Sequence, residues 1–249
     1  MSLDFTNSYL MRKALSSASL KSSKITQIIL SIRITLILSF LLYASSGYAQ
    51  GSFRLGSQPS INLNKKLSAG YKLNLGLESR QTLYRDNDFN TTYDRTDISI
   101  VLSKKVGLSG ILAGGYVMRF DSGNFIHRTT QQYTYVSNSR IRLAHRMVFD
   151  QTYSPVNPTQ VRLRYRLSSL FPLNGDSIDP SEYYVKIQNE YTNAYQDGFD
   201  LEIALNIALG HKFSNDNKLE FGLDSRISDF VEDSLAGRIW IRIGWFVVI

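Results

Sequence analysis

Hydrophobic side chains return at every second position along most of this chain. The last segment shows it best: Ile239, Ile241, Ile243, Trp245, Val247 and Ile249 share one face of an extended backbone, with Arg238, Arg242 and Gly244 on the other. Leu201, Ile203, Leu205, Ile207 and Leu209 likewise alternate with Glu202, Ala204, Asn206 and Ala208. Val161, Leu163, Tyr165 and Leu167 alternate with Arg162, Arg164 and Arg166. A period of two predicts β-strands with one apolar face and one face that accepts charge.

Turn signals such as Ser68–Gly70, Lys104–Gly107 and Ser214–Asn217 separate these segments. Connections on the other side, after Tyr84, Phe120, Phe149, Tyr191 and Ile227, read as longer and polar. The stretch Ser168–Ser181 departs from that alternation. Tyr84, Tyr93, Phe120, Phe125, Tyr153, Tyr195 and Phe199 gather at strand ends beside the longer loops, as an interfacial girdle would. Eleven alternating segments are legible. Single-chain bacterial barrels have even strand numbers, which raises the expectation to about 12, within 10–14. Gln50–Gly56 then forms or extends a first strand. The predicted fold is an all-β, antiparallel up-and-down transmembrane β-barrel. A water-soluble β-sandwich gives similar alternation and is the structural alternative. The apolar C-terminal strand favours the barrel, because outer-membrane barrels close on such a strand.

Residues 1–49 read as an export signal. Arg12, Lys13, Lys21, Lys24 and Arg33 precede the apolar run Ile34–Ala44, and Gly47-Tyr48-Ala49 fits a small-x-small cleavage site. The mature chain is expected to begin near Gln50 and to form one barrel domain over 50–249; the start codon is Met1 or Met11. The run is shorter than the ~20 residues a membrane-spanning helix needs. The whole chain carries 28 basic and 21 acidic residues. With the five basic residues and Asp4 of the signal removed, 23 face 20, so most of the excess charge belongs to export rather than to a nucleic-acid partner. Cysteine is absent, which excludes disulfides and thiolate chemistry. His127, His145 and His211 share no metal-ligand spacing, and no cofactor motif is present.

Charge on the polar face is the sharpest chemical feature. An arginine facing lipid costs ~2–4 kcal/mol near the membrane midplane, so these rows are expected to point into the lumen. The candidates are Arg140, Arg142, Arg146, Arg162, Arg164 and Arg166, with Glu78, Glu190, Glu202, Glu220 and Asp224 as partners. Two readings stand open: a structural or surface-binding barrel filled by arginine–carboxylate ladders, and a narrow channel for small anionic solutes. A third makes His145, an odd member of an apolar face, the base of a lipid-modifying enzyme; its own strand offers no serine two residues on, where Met147 stands. The chain is read as non-enzymatic.

The strands Arg140-Ile-Arg-Leu-Ala-His-Arg146, Val161-Arg-Leu-Arg-Tyr-Arg-Leu167 and Tyr183-Tyr-Val-Lys-Ile-Gln-Asn-Glu190 resemble a widespread Gram-negative family of outer-membrane β-barrels known only as a domain of unknown function. The similarity covers most of 53–249. It implies an outer-membrane barrel with no established activity, substrate or cofactor. Position 145 is often acidic in that pattern, and His145 departs from it. The expected surroundings are outer-membrane lipid and, through the C-terminal strand, the barrel-assembly machinery. The barrel is expected to be a monomer that binds no nucleic acid.

Overall fold

The computed structural model describes residues 52–121, 123–138, 142–230 and 235–249. The predicted signal segment 1–49 and the candidate Arg140 lie outside these residues. Eleven strands close into one barrel: β1 (Ser52–Lys66), β2 (Tyr71–Arg85), β3 (Thr92–Val106), β4 (Gly110–Asp121), β5 (Asn124–Asn138), β6 (Arg142–Tyr153), β7 (Gln160–Pro172), β8 (Glu182–Tyr195), β9 (Phe199–Lys212), β10 (Asn217–Ser228) and β11 (Ala236–Val248).

Each strand is antiparallel to its neighbours in sequence, and β1 closes the ring against β11 in parallel, from Ser52 opposite Ala236 to Asn64 opposite Val248. Eleven lies within the expected range of about 10–14 and one below the central figure of about twelve, and the parallel seam departs from a wholly antiparallel ring. The residues before Gly56 extend β1 instead of adding a strand. In an up-and-down barrel an odd count makes the first and last strands run the same way, so the seam must be parallel. Ser52 and Val248 therefore lie at opposite mouths.

The expected alternation of loop length is not sustained. At the Ser52 mouth, 86–91, 154–159 and 229–235 are the longer connections, yet only 122–123 join β4 to β5 and 196–198 join β8 to β9. At the Val248 mouth the longest connection is 173–181. The β1–β2 turn is tight, passing through Ala69 (φ 56°) and Gly70 (φ 76°) in the left-handed region.

The barrel is inverted with respect to a water-soluble core. Among the described residues five hydrophobic side chains are buried against thirteen polar or charged ones, and forty-one large hydrophobic side chains are exposed. The exposed set includes Leu75, Leu77, Ile100, Leu102, Leu163, Ile187, Leu209, Leu223 and Ile243 on one face of their strands. Exposed aromatics stand at both ends of this belt. Tyr93, Phe120, Phe125, Tyr153, Tyr195 and Phe199 ring the Ser52 mouth; Tyr71, Tyr135, Tyr183, Phe213 and Trp245 ring the Val248 mouth.

Room inside comes from glycine set against aromatic rings. Gly56 lies directly opposite Trp240 and Gly210 opposite Tyr184, and in each pair a Cβ on the glycine would collide with the ring. Trp240 and Tyr184 are almost wholly buried, at 3% and 1% exposure. These rings set how much of the lumen is left for charge.

The parallel seam is testable by cross-linking, because the chain has no cysteine of its own. Ser57 stands directly opposite Ile241. Paired Cα atoms in adjacent strands lie roughly 5 Å apart, within disulfide reach. Mild oxidation of the Ser57→Cys/Ile241→Cys variant should form an intramolecular bond, seen as a reductant-sensitive mobility change on a denaturing gel. Free thiols in the folded protein would disprove this closure.

Candidate functional site: the charged lumen

A cavity of about 550 Å³ is lined by side chains from every one of the eleven strands. Only the interior of a closed barrel can be lined in that way. Its walls carry nine arginines and five carboxylates, and no lysine. Residues of the turns at the Ser52 mouth, such as Asn157, Pro158 and Asp229, form its outer rim. Trp240, stacked under the Arg80 guanidinium at 5.3 Å, also lines it.

Ion pairs surround and underlie this vestibule, most of them in four groups. On β3 and β4, Arg119 donates through Nε and Nη2 to both oxygens of Asp97, at 2.7 and 2.6 Å. On β6–β8, Asp150 receives Arg162 (3.1 Å) and Arg164 (2.8 Å), and Glu190 receives Arg166 (2.6 Å) and, more distantly, Arg164 (3.7 Å). The Arg164 contact to Asp150 is an ion pair by distance, but its Nε is not aligned for a hydrogen bond. On β9–β11, Glu202 bridges Arg226 (2.7 Å) and Arg238 (2.8 Å), and Asp224 takes the other side of Arg226 (2.9 Å). Nearer the Val248 mouth, Glu220 accepts from Lys186 (2.8 Å), Lys218 (3.0 Å) and the Tyr184 hydroxyl (2.8 Å). Phe246 lies against both lysines, completing the packing on that side.

The alternation of charge creates these groups. Arg162, Arg164 and Arg166 fall on one face of β7, and register sets them opposite Asp150, Val148 and Arg146 on one side and Ala194, Thr192 and Glu190 on the other. Three like charges on one strand thus meet carboxylates on both neighbouring strands. Glu190 offers one oxygen to each of its two arginines, whereas Asp150 takes both of its arginines on Oδ2 and leaves Oδ1 buried without a hydrogen-bond partner; in each case the Coulomb attraction of two cations offsets the burial of the anion.

Charge balance is not complete. Among the described residues Arg95, Arg128 and Arg146 have no carboxylate in ion-pair contact. Arg128 Nε donates to Thr152 Oγ1 (2.9 Å) and Arg146 Nε to Thr134 Oγ1 (3.2 Å). Arg95 Nε is buried with no hydrogen-bond partner. Arg54 and Arg85 both approach Asp94 only at 4.0 Å.

Of the residues singled out from sequence, Arg162, Arg164, Arg166, Glu190, Glu202, Glu220 and Asp224 meet in this network, and Glu78 pairs with Arg80 at 3.0 Å. Arg146 sits beside them without a carboxylate, and Arg142, at the first position of β6, is exposed. Arg54, Arg80, Arg95 and Arg128 were missed. Arg54, Arg80 and Arg95 keep the parity of Gln58, Glu78 and Asp97, so period two did offer them; the register shifts leave Leu83 on β2 and Asp94 on β3 without a paired residue, and the parity changes only at and beyond them, as at Arg85 and Asp94. Arg128 precedes the stretch that reads as strand in the sequence, but its even-numbered parity with Thr130 and Thr134 was an available signal.

His145 stands on the opposite, apolar face of β6. Its Nδ1 is hydrogen-bonded to the Tyr165 hydroxyl at 2.8 Å, and Tyr135 is its cross-strand partner. His127 and Tyr116 form a similar pair, and His211 stacks near Tyr183. A side chain at position 145 therefore faces away from the lumen network.

A family profile described as "Protein of unknown function (DUF2490)" matches residues 55–230, from β1 into the turn before β11, and the chain belongs to that family. No curated protein and no solved structure matches the chain.

Asp150, fully buried at 0% exposure between two arginines, should be the most sensitive member of the network. Asp150→Asn leaves Arg162 with no carboxylate and Arg164 with only the more distant Glu190, and should cost about 3–5 kcal/mol. Arg85→Ala, at a half-exposed pair, should change stability by less than ~1 kcal/mol. Urea titration of the refolded protein in micelles, read by fluorescence of Trp240 and Trp245, measures both; equal effects would refute the ranking.

Proposed function

We propose that this member of the DUF2490 family is an exported outer-membrane β-barrel whose lumen is plugged towards the Val248 mouth and presents a basic vestibule at the Ser52 mouth. The observation that carries the reading is the inversion: among the described residues forty-one large hydrophobic side chains are exposed, against five hydrophobic and thirteen polar side chains buried. Water-soluble monomers rarely expose contiguous apolar patches above a few hundred Å². In hydrocarbon the same surface costs nothing, and closed barrels leave no unpaired backbone there.

Dimensions support the same reading. Tyr183 and Tyr195 lie on β8, twelve residues apart, one in each aromatic ring. At ~3.3 Å per residue and the ~40° tilt common in such barrels, the rings stand roughly 30 Å apart, enough to flank a ~25 Å apolar band. The signal-like segment 1–49 fits export, and the apolar β11 fits the strand that assembly machinery recognises.

The plug favours a structural or surface-binding barrel over an open anion channel. Tyr184, Glu220, Asn206 and Gln58 project inward yet stay at 6% exposure or below. A water-filled pore would wet them. The reading assigns no catalysis to His145, whose partner is the Tyr165 phenol rather than a serine or a carboxylate.

Electrophysiology tests the plug. In a planar bilayer the wild-type protein should give no unitary steps. The Tyr184→Ala/Glu220→Ala variant, confirmed as folded by its heat-modifiable gel mobility, should conduct. Steady conductance by the wild type would sink the plugged reading. A processed chain that stayed monodisperse without detergent would sink its membrane placement.

A further inference from the structure

We propose that the vestibule at the Ser52 mouth is a binding site for a multiply charged phosphoryl oxyanion, with Arg95 and Arg128 as its principal guanidinium donors. The inference deepens the surface-binding reading and rests on the lumen being filled below the vestibule.

The segregation of basic residue types is the first support. The eight lysines of the region after residue 50 all lie on the half of the barrel nearer the Val248 mouth, from Lys65 and Lys72 to Lys212 and Lys218. The cavity is lined by arginine alone among basic residues. Electrostatic attraction by itself would be served by either residue. Arginine differs in its planar fork of donors, which fits two oxygens of one oxyanion and does not lose its charge on partial burial.

The second support is the surplus. Nine arginines face five carboxylates around the cavity. Of these carboxylates Glu202 is shared by Arg226 and Arg238, and Asp121, Asp200 and Asp229 stand towards the rim with no arginine in ion-pair contact among the described residues; Arg119 is held in a two-point pair by Asp97, outside the lining. Arg95 and Arg128 are left with no carboxylate partner among the described residues, and Arg95 keeps a buried Nε with nothing to donate to. Arg54 and Arg85 hold Asp94 only at 4.0 Å and can turn inward at little cost. A buried donor without an acceptor is uncommon in a finished structure and marks the place an acceptor from outside would fill.

The third support is size and charge. A single carboxylate would only repeat what Asp97 and Glu202 already offer. A phosphoryl group brings close to two charges and three oxygens that accept from several directions, so one group can serve two forks at once. About 550 Å³ is room for a phosphorylated solute of sugar or nucleotide size. The phosphoryl group could belong to a soluble solute or to a lipid headgroup; the chemistry of the arginines is the same for both.

Inorganic pyrophosphate is the probe. Titrated calorimetrically into the processed protein in uncharged detergent micelles, it should bind at one site. Arg95→Ala and Arg128→Ala should each weaken it at least tenfold, and Arg95→Lys/Arg128→Lys should not restore it. Lys65→Ala/Lys105→Ala, which removes two exposed charges at the other mouth, should leave affinity unchanged. Phosphatidic acid added to the micelles assigns the source: displacement of pyrophosphate supports a headgroup, and its absence supports a soluble solute. No pyrophosphate binding by heat-modifiable protein, or full affinity in the lysine variant, overturns the proposal. A wild type that conducts but still binds pyrophosphate would end the plugged reading and leave this site standing.

Discussion

The constraint on which the structure depends is the placement of guanidinium charge. An arginine facing an apolar medium is costly, and an arginine buried without an anion is costly too. Alternation along the strands sends the arginines and carboxylates to the same side, and closure of the sheet brings that side together. Asp150 and Glu190, from the strands on either side, then each bridge two arginines of β7, while Glu202 and Glu220 each bridge cations from two different strands. The backbone ladder gives the cylinder, and these bridges allow its inside to be both charged and packed.

Aromatic rings and glycines decide how far that packing extends. Gly56 and Gly210 remove a side chain where Trp240 and Tyr184 cross the lumen. Each ring also meets charge: Arg80 stacks on Trp240, and Tyr184 donates to Glu220. The two ends of the lumen consequently differ. Lysine, aromatic and glutamate fill the half near Val248, while arginine surrounds open space near Ser52. An electrostatic asymmetry of this kind along one axis gives the barrel a direction that the backbone alone does not supply.

The face of each strand was legible from period two alone. Arg162, Arg164 and Arg166, the acids Glu190, Glu202, Glu220 and Asp224, and the apolar series of β9 and β11 all follow their parity. Pairing was not legible, because which carboxylate meets which arginine depends on turn length and on register shifts such as that at Arg80/Gln81. The strand count was legible only as a range of about 10–14, for a related reason. Eleven segments were visible, but a rule of even numbers argued for another, and nothing in the residues of β1 states that it will pair in parallel with β11. The inward aromatics were hidden because Trp240 and Phe246 are hydrophobic residues on the polar face, where the pattern predicts none.

Arginine surplus and aromatic filling bear on each other. A lumen lined by nine arginines and fewer acids repels itself, and an open column of water would screen that repulsion at no structural cost. Here Trp240, Tyr184 and Glu220 are buried on the inner side of the barrel, and the plugged reading rests on that burial. Repulsion within the vestibule is relieved either by counter-ions from solution or by an anion held at the unpaired forks of Arg95 and Arg128. A dead-ended basic pocket concentrates anions without passing them on. In the proposed plugged barrel that property separates binding from conduction, since conduction requires a second exit.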